Sequence, residues 1–207
     1  MDFQWNCIAH VRSIDDASMR MIRAAGCWFL EIGMESGVES ILRSVGRPAT
    51  RRRILDAVRC ARRNGLVVKG NFIIGLPGEN TATMEETTAF AIRSGIDYFQ
   101  MTFLTIWPGC PLAEDPARHG TVLGDQLSWS MFKVSFVPHG LTAEELRAAS
   151  RRAFRRFYLR PRSMLTVLRL LSARRGMRLL AAAFVTFLCM QCRRASPDFC
   201  PSPVSGS

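Results

Sequence analysis

The chain has 207 residues, 48% of them hydrophobic, with 28 Lys+Arg against 17 Asp+Glu and a net charge of +11. That content suits one sizeable core with a small appendage, and the charge is uneven: residues 1–140 hold 15 Lys+Arg against 14 acids, residues 141–207 hold 13 Arg against 3. The opening MDFQWNCIAH has neither the basic nor the apolar stretch of a secretory signal, so the seven cysteines read as reduced thiols in a cytoplasmic protein, not as a disulfide framework.

A short strand over Trp5–Val11 comes first. Asp15 or Asp16 caps a helix running to Arg23, with Ile14, Met21, Ile22 and Ala25 on one side and Gly26 at its end. A strand over Cys27–Gly33 enters the turn EIGMESG. Gly37–Val45 then reads as a short helix and Arg51–Asn64 as a longer one, with Ile54, Leu55, Val58 and Ala61 as its buried stripe and Gly65 as its stop. Strand Val67–Ile74 leads into GLPGE. The next helix runs from about Thr83 to Ser94, and a strand over Asp97–Ile106 ends in WPGCPL. Near-continuous apolar strands alternating with amphipathic helices predict a parallel sheet buried on both faces. In such folds ligands gather at the carboxyl ends of the strands. Chemistry is therefore expected at Glu35–Ser36, Gly75–Glu79 and Thr105–Pro111.

Past these strands the pattern weakens, and residues 119–140 read as an irregular linker. Thr142 with Glu145 forms a capping box, and Leu141 with Leu146 a hydrophobic staple. The helix they start runs to about Tyr158, with Leu146, Ala149, Ala153 and Phe157 on one face and Arg147, Arg151 and Arg155 on another. A last helix, Ser163 to Met190, ends in the 12-residue LLAAAFVTFLCM. That stretch spans about 18 Å against roughly 30 Å of bilayer hydrocarbon, so it is not a membrane span. The expected organisation is an α/β part over 1–118, a linker over 119–140, a basic helical region over 141–192 and a disordered Pro/Ser-rich tail over 193–207.

EIGMESG, GRPAT, the run RRNGLVVKGNFIIGLPGE and the strand ending WPGCPL, in that order, resemble radical S-adenosylmethionine enzymes, the nearest group being the one with a cobalamin-binding domain ahead of the radical domain. The resemblance covers Trp5 to Arg162. It implies an α/β fold, an incomplete (β/α) partial barrel of about four parallel strands followed by a C-terminal helical region. It also implies S-adenosylmethionine, a 4Fe–4S cluster, and cobalamin on a domain outside this chain. The chemistry would be that of a 5′-deoxyadenosyl radical acting on a lipid, pigment or natural product. The family's C-x3-C-x2-C cluster loop has no counterpart in these residues. The chain is accordingly expected to be the C-terminal portion of such an enzyme, not catalytic alone. The competing reading is a non-catalytic remnant or a basic membrane-surface module.

By that resemblance the cofactor residues are Glu35, Ser36, Arg47, Gly75, Pro77, Gly78 and Glu79, and the substrate side is Thr102, Thr105, Trp107 and Cys110. A carboxylate at Glu35 suits ribose hydroxyls or a methionyl ammonium; it equally suits the start of the next helix, whose N-terminus favours negative charge. Arg47 can grip a carboxylate with two hydrogen bonds, or be a solvated loop residue. The glycines of GLPGE let backbone approach a flat ligand, and Glu79 can orient the next helix or join the site. Cys110 is either a reactive thiol at the mouth or a spectator. Cys189, Cys192 and Cys200 lack the fourth ligand a structural zinc takes, so no metal is assigned. The Arg-rich tail reads first as a solvated face, then as peripheral contact with an anionic membrane through Arg147–Arg162 with Phe154, Phe157 and Tyr158, and last as a nucleic-acid surface, which no motif supports.

Overall fold

The computed structural model describes residues 3–47, 49–124 and 130–172, with side chains through Thr166. Four parallel strands, β1 (Trp5–His10), β2 (Cys27–Glu35), β3 (Val67–Ile74) and β4 (Tyr98–Phe103), lie in the order β1-β2-β3-β4. Each crossover carries helix: α1 (Asp16–Ala24), then α2 (Glu39–Ser44) with α3 (Arg51–Arg63), then α4 (Thr81–Arg93). The starts follow local chemistry. Asp15 caps α1 by accepting from the Ser18 N–H, and Thr50 caps α3 through Arg53. Helix α4 begins two residues earlier than its sequence pattern suggests, because Asn80 and Thr83 form a capping box.

Burial alternates along the strands, in contrast to the expected two-sided burial. Leu30, Ile32, Met34, Val68, Phe72, Ile74, Phe99 and Met101 point to the helix side, where they share one core with Ile54, Val58, Ala61, Met84 and Phe90. The opposite face is half-exposed and mixed. Its register rows are Ile8–Glu31–Lys69–Tyr98 and His10–Gly33–Asn71–Gln100. Charged residues in mid-strand, Glu31 and Lys69, are what make that face unlike the apolar one.

The described parts of residues 119–140, read in the sequence as a linker, include regular structure. A two-stranded antiparallel ribbon, β5 (Gly120–Val122) with β6 (Phe136–Pro138), forms inside this segment. A Cβ on Gly120 would lie 2.2 Å from the Val137 carbonyl oxygen, so the close crossing needs glycine. Val134 and Val137 belong to the same core as Leu146, Ala153 and Phe157 of α5 (Ala143–Tyr158). The predicted Thr142–Glu145 capping box is formed.

A final described helix, α6 (Pro161–Ser172), crosses the point where the chain divides into two compact units, Met1–Ser163 and Met164–Ser207. The sheet, the ribbon and α1–α5 all lie in the first unit, so shared burial joins what the sequence divides at 118/119 and 140/141. The LLAAAFVTFLCM stretch, the 193–207 tail and Cys189, Cys192 and Cys200 lie outside the described residues. Among those described, no helix is long and apolar enough to cross a membrane.

Candidate functional site at the carboxyl ends of the strands

Strand β2 gains one residue against β3 near its end: Gly33 pairs with Asn71, but Glu35 pairs with Phe72. The bulge re-aims the strand, and Glu35 takes φ 60°, the one non-glycine among the described residues with positive φ. A Cβ on Gly33 would meet Glu35 Oε1 at 3.0 Å, so the carboxylate lies back over Gly33. There Arg47 Nη2 approaches Glu35 Oε1 to 3.8 Å. Burial raises the Glu35 carboxyl above its usual value, and the Arg47 guanidinium opposes that rise. Strained backbone, a half-buried acid and an exposed guanidinium thus meet at one strand end.

Ser36, the next residue, is fully buried. Its hydroxyl contacts the Thr87 hydroxyl at 3.1 Å and accepts from the Val38 N–H, while Gly37 N–H donates to Thr87. Ser36 therefore shapes the turn against α4, and its hydrogen bonds are made within the protein.

The GLPGE turn is closed by its own acid. Glu79 is buried, and its Oε2 accepts from the N–H of Gly75 at 2.7 Å and of Leu76 at 3.0 Å. Burial outweighs these two bonds and pushes the Glu79 carboxyl up to about 7. Gly75 and Gly78 take φ 91° and 82°, which the tight turn requires. Pro77 is half-buried and Gly78 exposed at the outer rim. Glu79 holds the turn through these two bonds, and the cap of α4 is Asn80.

At the end of β4, Thr102 donates to the Phe72 carbonyl at 3.3 Å, and Thr105 Oγ1 is buried without a hydrogen-bond partner. Trp107 is exposed and Cys110 half-buried on the turn beyond. Leu104 N–H bonds Ile74 O, which keeps this end beside the start of GLPGE. The three expected loops therefore share one edge of the sheet.

A further cluster was not singled out in the sequence. On the mixed face Glu31 Oε2 accepts from Lys69 Nζ at 3.0 Å and from Asn71 Nδ2 at 3.1 Å. Asn71 Oδ1 is buried with no partner. The signal was present: an acid and a lysine interrupt two otherwise apolar strands, at positions that alternate with the buried ones.

The basic helix α5 makes ion pairs within the fold. Arg152 and Arg156 both pair with Glu85 of α4, and Arg147 with Glu144. Phe157 stacks on Phe99 at 5.2 Å, and Phe154 and Tyr158 join the same aromatic cluster. Arg160 lies 4.0 Å over the Phe157 ring. The aromatics expected at a bilayer surface are packed into the protein.

No set of three His, Cys, Asp or Glu side chains among the described residues is placed to hold a metal ion. Cys7 and Cys27 come within 3.8 Å across β1 and β2, and Cys60 and Cys110 stand apart from them as free thiols. The described cysteines do not fit an iron–sulfur cluster. The Glu35–Arg47 pair does fit a ligand carrying an ammonium and a carboxylate.

Four parallel strands with helical crossovers and glycine-rich turns at the carboxyl edge make part of a (β/α) barrel. Residues 4–91 match the radical SAM superfamily. It is 31% identical over 169 residues to an uncharacterized methyltransferase of Pyrococcus horikoshii, covering 80% of this chain and 36% of that one. It is 25% identical over 159 residues to the anaerobic magnesium-protoporphyrin IX monomethyl ester cyclase of Cereibacter sphaeroides, covering 76% and 26%. The chain thus spans about a quarter to a third of the length of these curated relatives. Its fold resembles the radical S-adenosylmethionine methyltransferase TsrM of Kitasatospora setae, with TM-score 0.57 and 16% identity over 73% of this chain and 36% of that one. Coproporphyrinogen III oxidase of Escherichia coli gives 0.54 and 15% over 75% and 32%.

Proposed function

We propose that this chain forms the S-adenosylmethionine-holding and substrate-facing part of a radical S-adenosylmethionine enzyme whose cluster cysteines come from polypeptide outside these residues. The observation that carries the reading is the Glu35–Arg47 pair, a carboxylate and a guanidinium 3.8 Å apart at the end of β2. A bound amino acid moiety would replace their mutual contact, its ammonium on Glu35 and its carboxylate in the fork of Arg47. The backbone of Gly75–Gly78, held in place by Glu79, gives a flat ligand an edge to lie against. Thr102, Thr105, Trp107 and Cys110 would face the substrate.

In the family, a 4Fe–4S cluster supplies the electron that generates the 5′-deoxyadenosyl radical. This chain's residues bind and orient the ligand, and they exclude water from its buried side. A methyltransferase and a cyclase among the relatives support methyl transfer or ring closure on a pigment, lipid or natural product, and the cobalamin bound in TsrM supports cobalamin as a second cofactor on a domain outside this chain.

Titration calorimetry with S-adenosylmethionine tests the reading. Binding is expected, with Glu35→Gln and Arg47→Gln each weakening it roughly tenfold, the worth of a charge-assisted hydrogen bond. A folded chain that does not bind, or variants that bind equally well, would sink it. Reconstitution with iron and sulfide should leave no visible chromophore.

A further inference from the structure

Beside the Glu35–Arg47 pair lies an open cleft of about 370 Å³ lined by His10, Arg12, Gly46, Arg47 and Ala49. Its walls come from two elements that the register brings together. His10 ends β1 opposite Gly33, over which the Glu35 carboxylate is folded. Gly46 and Arg47 follow α2, where Arg47 N–H bonds Leu42 O and a Cβ on Gly46 would meet nothing within 4 Å.

The polar side chains of this cleft, those of His10, Arg12 and Arg47, each carry hydrogen-bond donors. His10 Nδ1 accepts from the Arg12 N–H at 3.2 Å, so the neutral imidazole carries its proton on Nε2. Arg12 has its carbonyl tied to Arg53, and among the described residues its guanidinium has no ion-pair partner. Among the described residues the Arg47 guanidinium has only the long contact to Glu35, whose carboxyl burial raises above its usual value. Two guanidinia and a fixed imidazole donor around a cavity, with one half-committed carboxylate among them, make a site short of negative charge. We propose that His10, Arg12 and Arg47 form an anion-binding cleft that takes a carboxylate or phosphate group of a ligand.

The proposal shares Arg47 with the S-adenosylmethionine reading but rests on His10 and Arg12, which that reading does not use. The anion has two sources, the carboxylate of S-adenosylmethionine or an acidic group of a second ligand, and the probes separate them. Inorganic phosphate, titrated against the protein with nitrogen-15 labelled histidine, is expected to shift the His10 resonances saturably. Arg12→Gln should weaken phosphate roughly tenfold, and Arg155→Gln, an exposed arginine on α5, should leave it unchanged. His10→Phe should weaken it as well, through loss of the Nε2 donor.

S-adenosylmethionine that displaces phosphate, where its decarboxylated analogue does not, assigns the cleft to the methionyl carboxylate. Simultaneous binding of phosphate and S-adenosylmethionine assigns it to a second ligand. Phosphate binding with no S-adenosylmethionine binding would refute the function proposed above and leave the cleft standing. No shift at His10, or equal losses in Arg12→Gln and Arg155→Gln, would overturn the cleft.

Discussion

The Tyr158 hydroxyl completes the open edge of the sheet at Phe99: it donates to the Phe99 carbonyl at 2.7 Å and accepts from the Phe99 N–H at 3.1 Å. A side chain from α5 thus substitutes for the strand that β4 lacks on that side. Four residues further on, the Phe103 N–H bonds Met131 O, which covers the same edge with backbone. Burial pushes the Tyr158 phenol up to about 12, so it keeps the proton it donates. An unpaired edge invites association with other chains, and here helix and loop answer much of that demand.

Tyr158→Phe should therefore lower the unfolding free energy by about 1–3 kcal/mol, since it strands a buried N–H and carbonyl on β4. Urea titration followed by circular dichroism measures this. An unchanged midpoint would mean that the edge is satisfied in some other way.

Glu79 should make the protein less stable as pH rises from about 4.5 to about 7. Its carboxyl ionises near 4.5 in the unfolded chain and near 7 in the fold. Across that window the folded state holds the extra proton, so raising pH favours unfolding, and the slope vanishes above 7. The loss comes to about 3 kcal/mol at most. Glu79→Gln should flatten the dependence, as read from urea midpoints at pH 5 and pH 8. A variant that keeps the wild-type slope would show that another group carries it.

Gly37 sits where α4 crosses the end of β2. A Cβ there would stand 2.6 Å from Phe90 Cβ and 2.8 Å from Thr87 Cα, both too close to accept it. Gly37→Ala should cost about 1–3 kcal/mol by forcing α4 outward, and should disturb the Ser36–Thr87 contact. Thermal unfolding gives the first; loss of S-adenosylmethionine affinity, out of proportion to lost stability, would reveal the second.

On the mixed face, Lys69→Met leaves Glu31 without its cation but still bonded to Asn71. Both charged groups are mostly buried, with side chains 20% and 17% exposed, so a loss of roughly 1–3 kcal/mol is expected. Adding Glu31→Gln to Lys69→Met should recover part of it, because the stranded charge is gone. A double variant no better than the single one would mean that the pair stabilises nothing by its charge.

The sequence alone determined the alternation of strand and helix, the four parallel strands, the ends of β3 to the residue and the start of α5, because periodicity, caps and glycine stops act within a few residues. It also placed three ligand turns at one edge, since a right-handed run of parallel crossovers leaves them nowhere else. Only the tertiary structure decided which turn residues face outward. Ser36 and Glu79 are spent inside the protein because α4 packs against the first and the turn closes on the second, contacts that reach across 51 residues for Ser36 and Thr87. The same long-range packing paired Gly120–Val122 with Phe136–Pro138 and drew Phe157 into the core. It also set the neighbouring His10 and Arg12 beside Arg47, which lies 35 residues further along the chain.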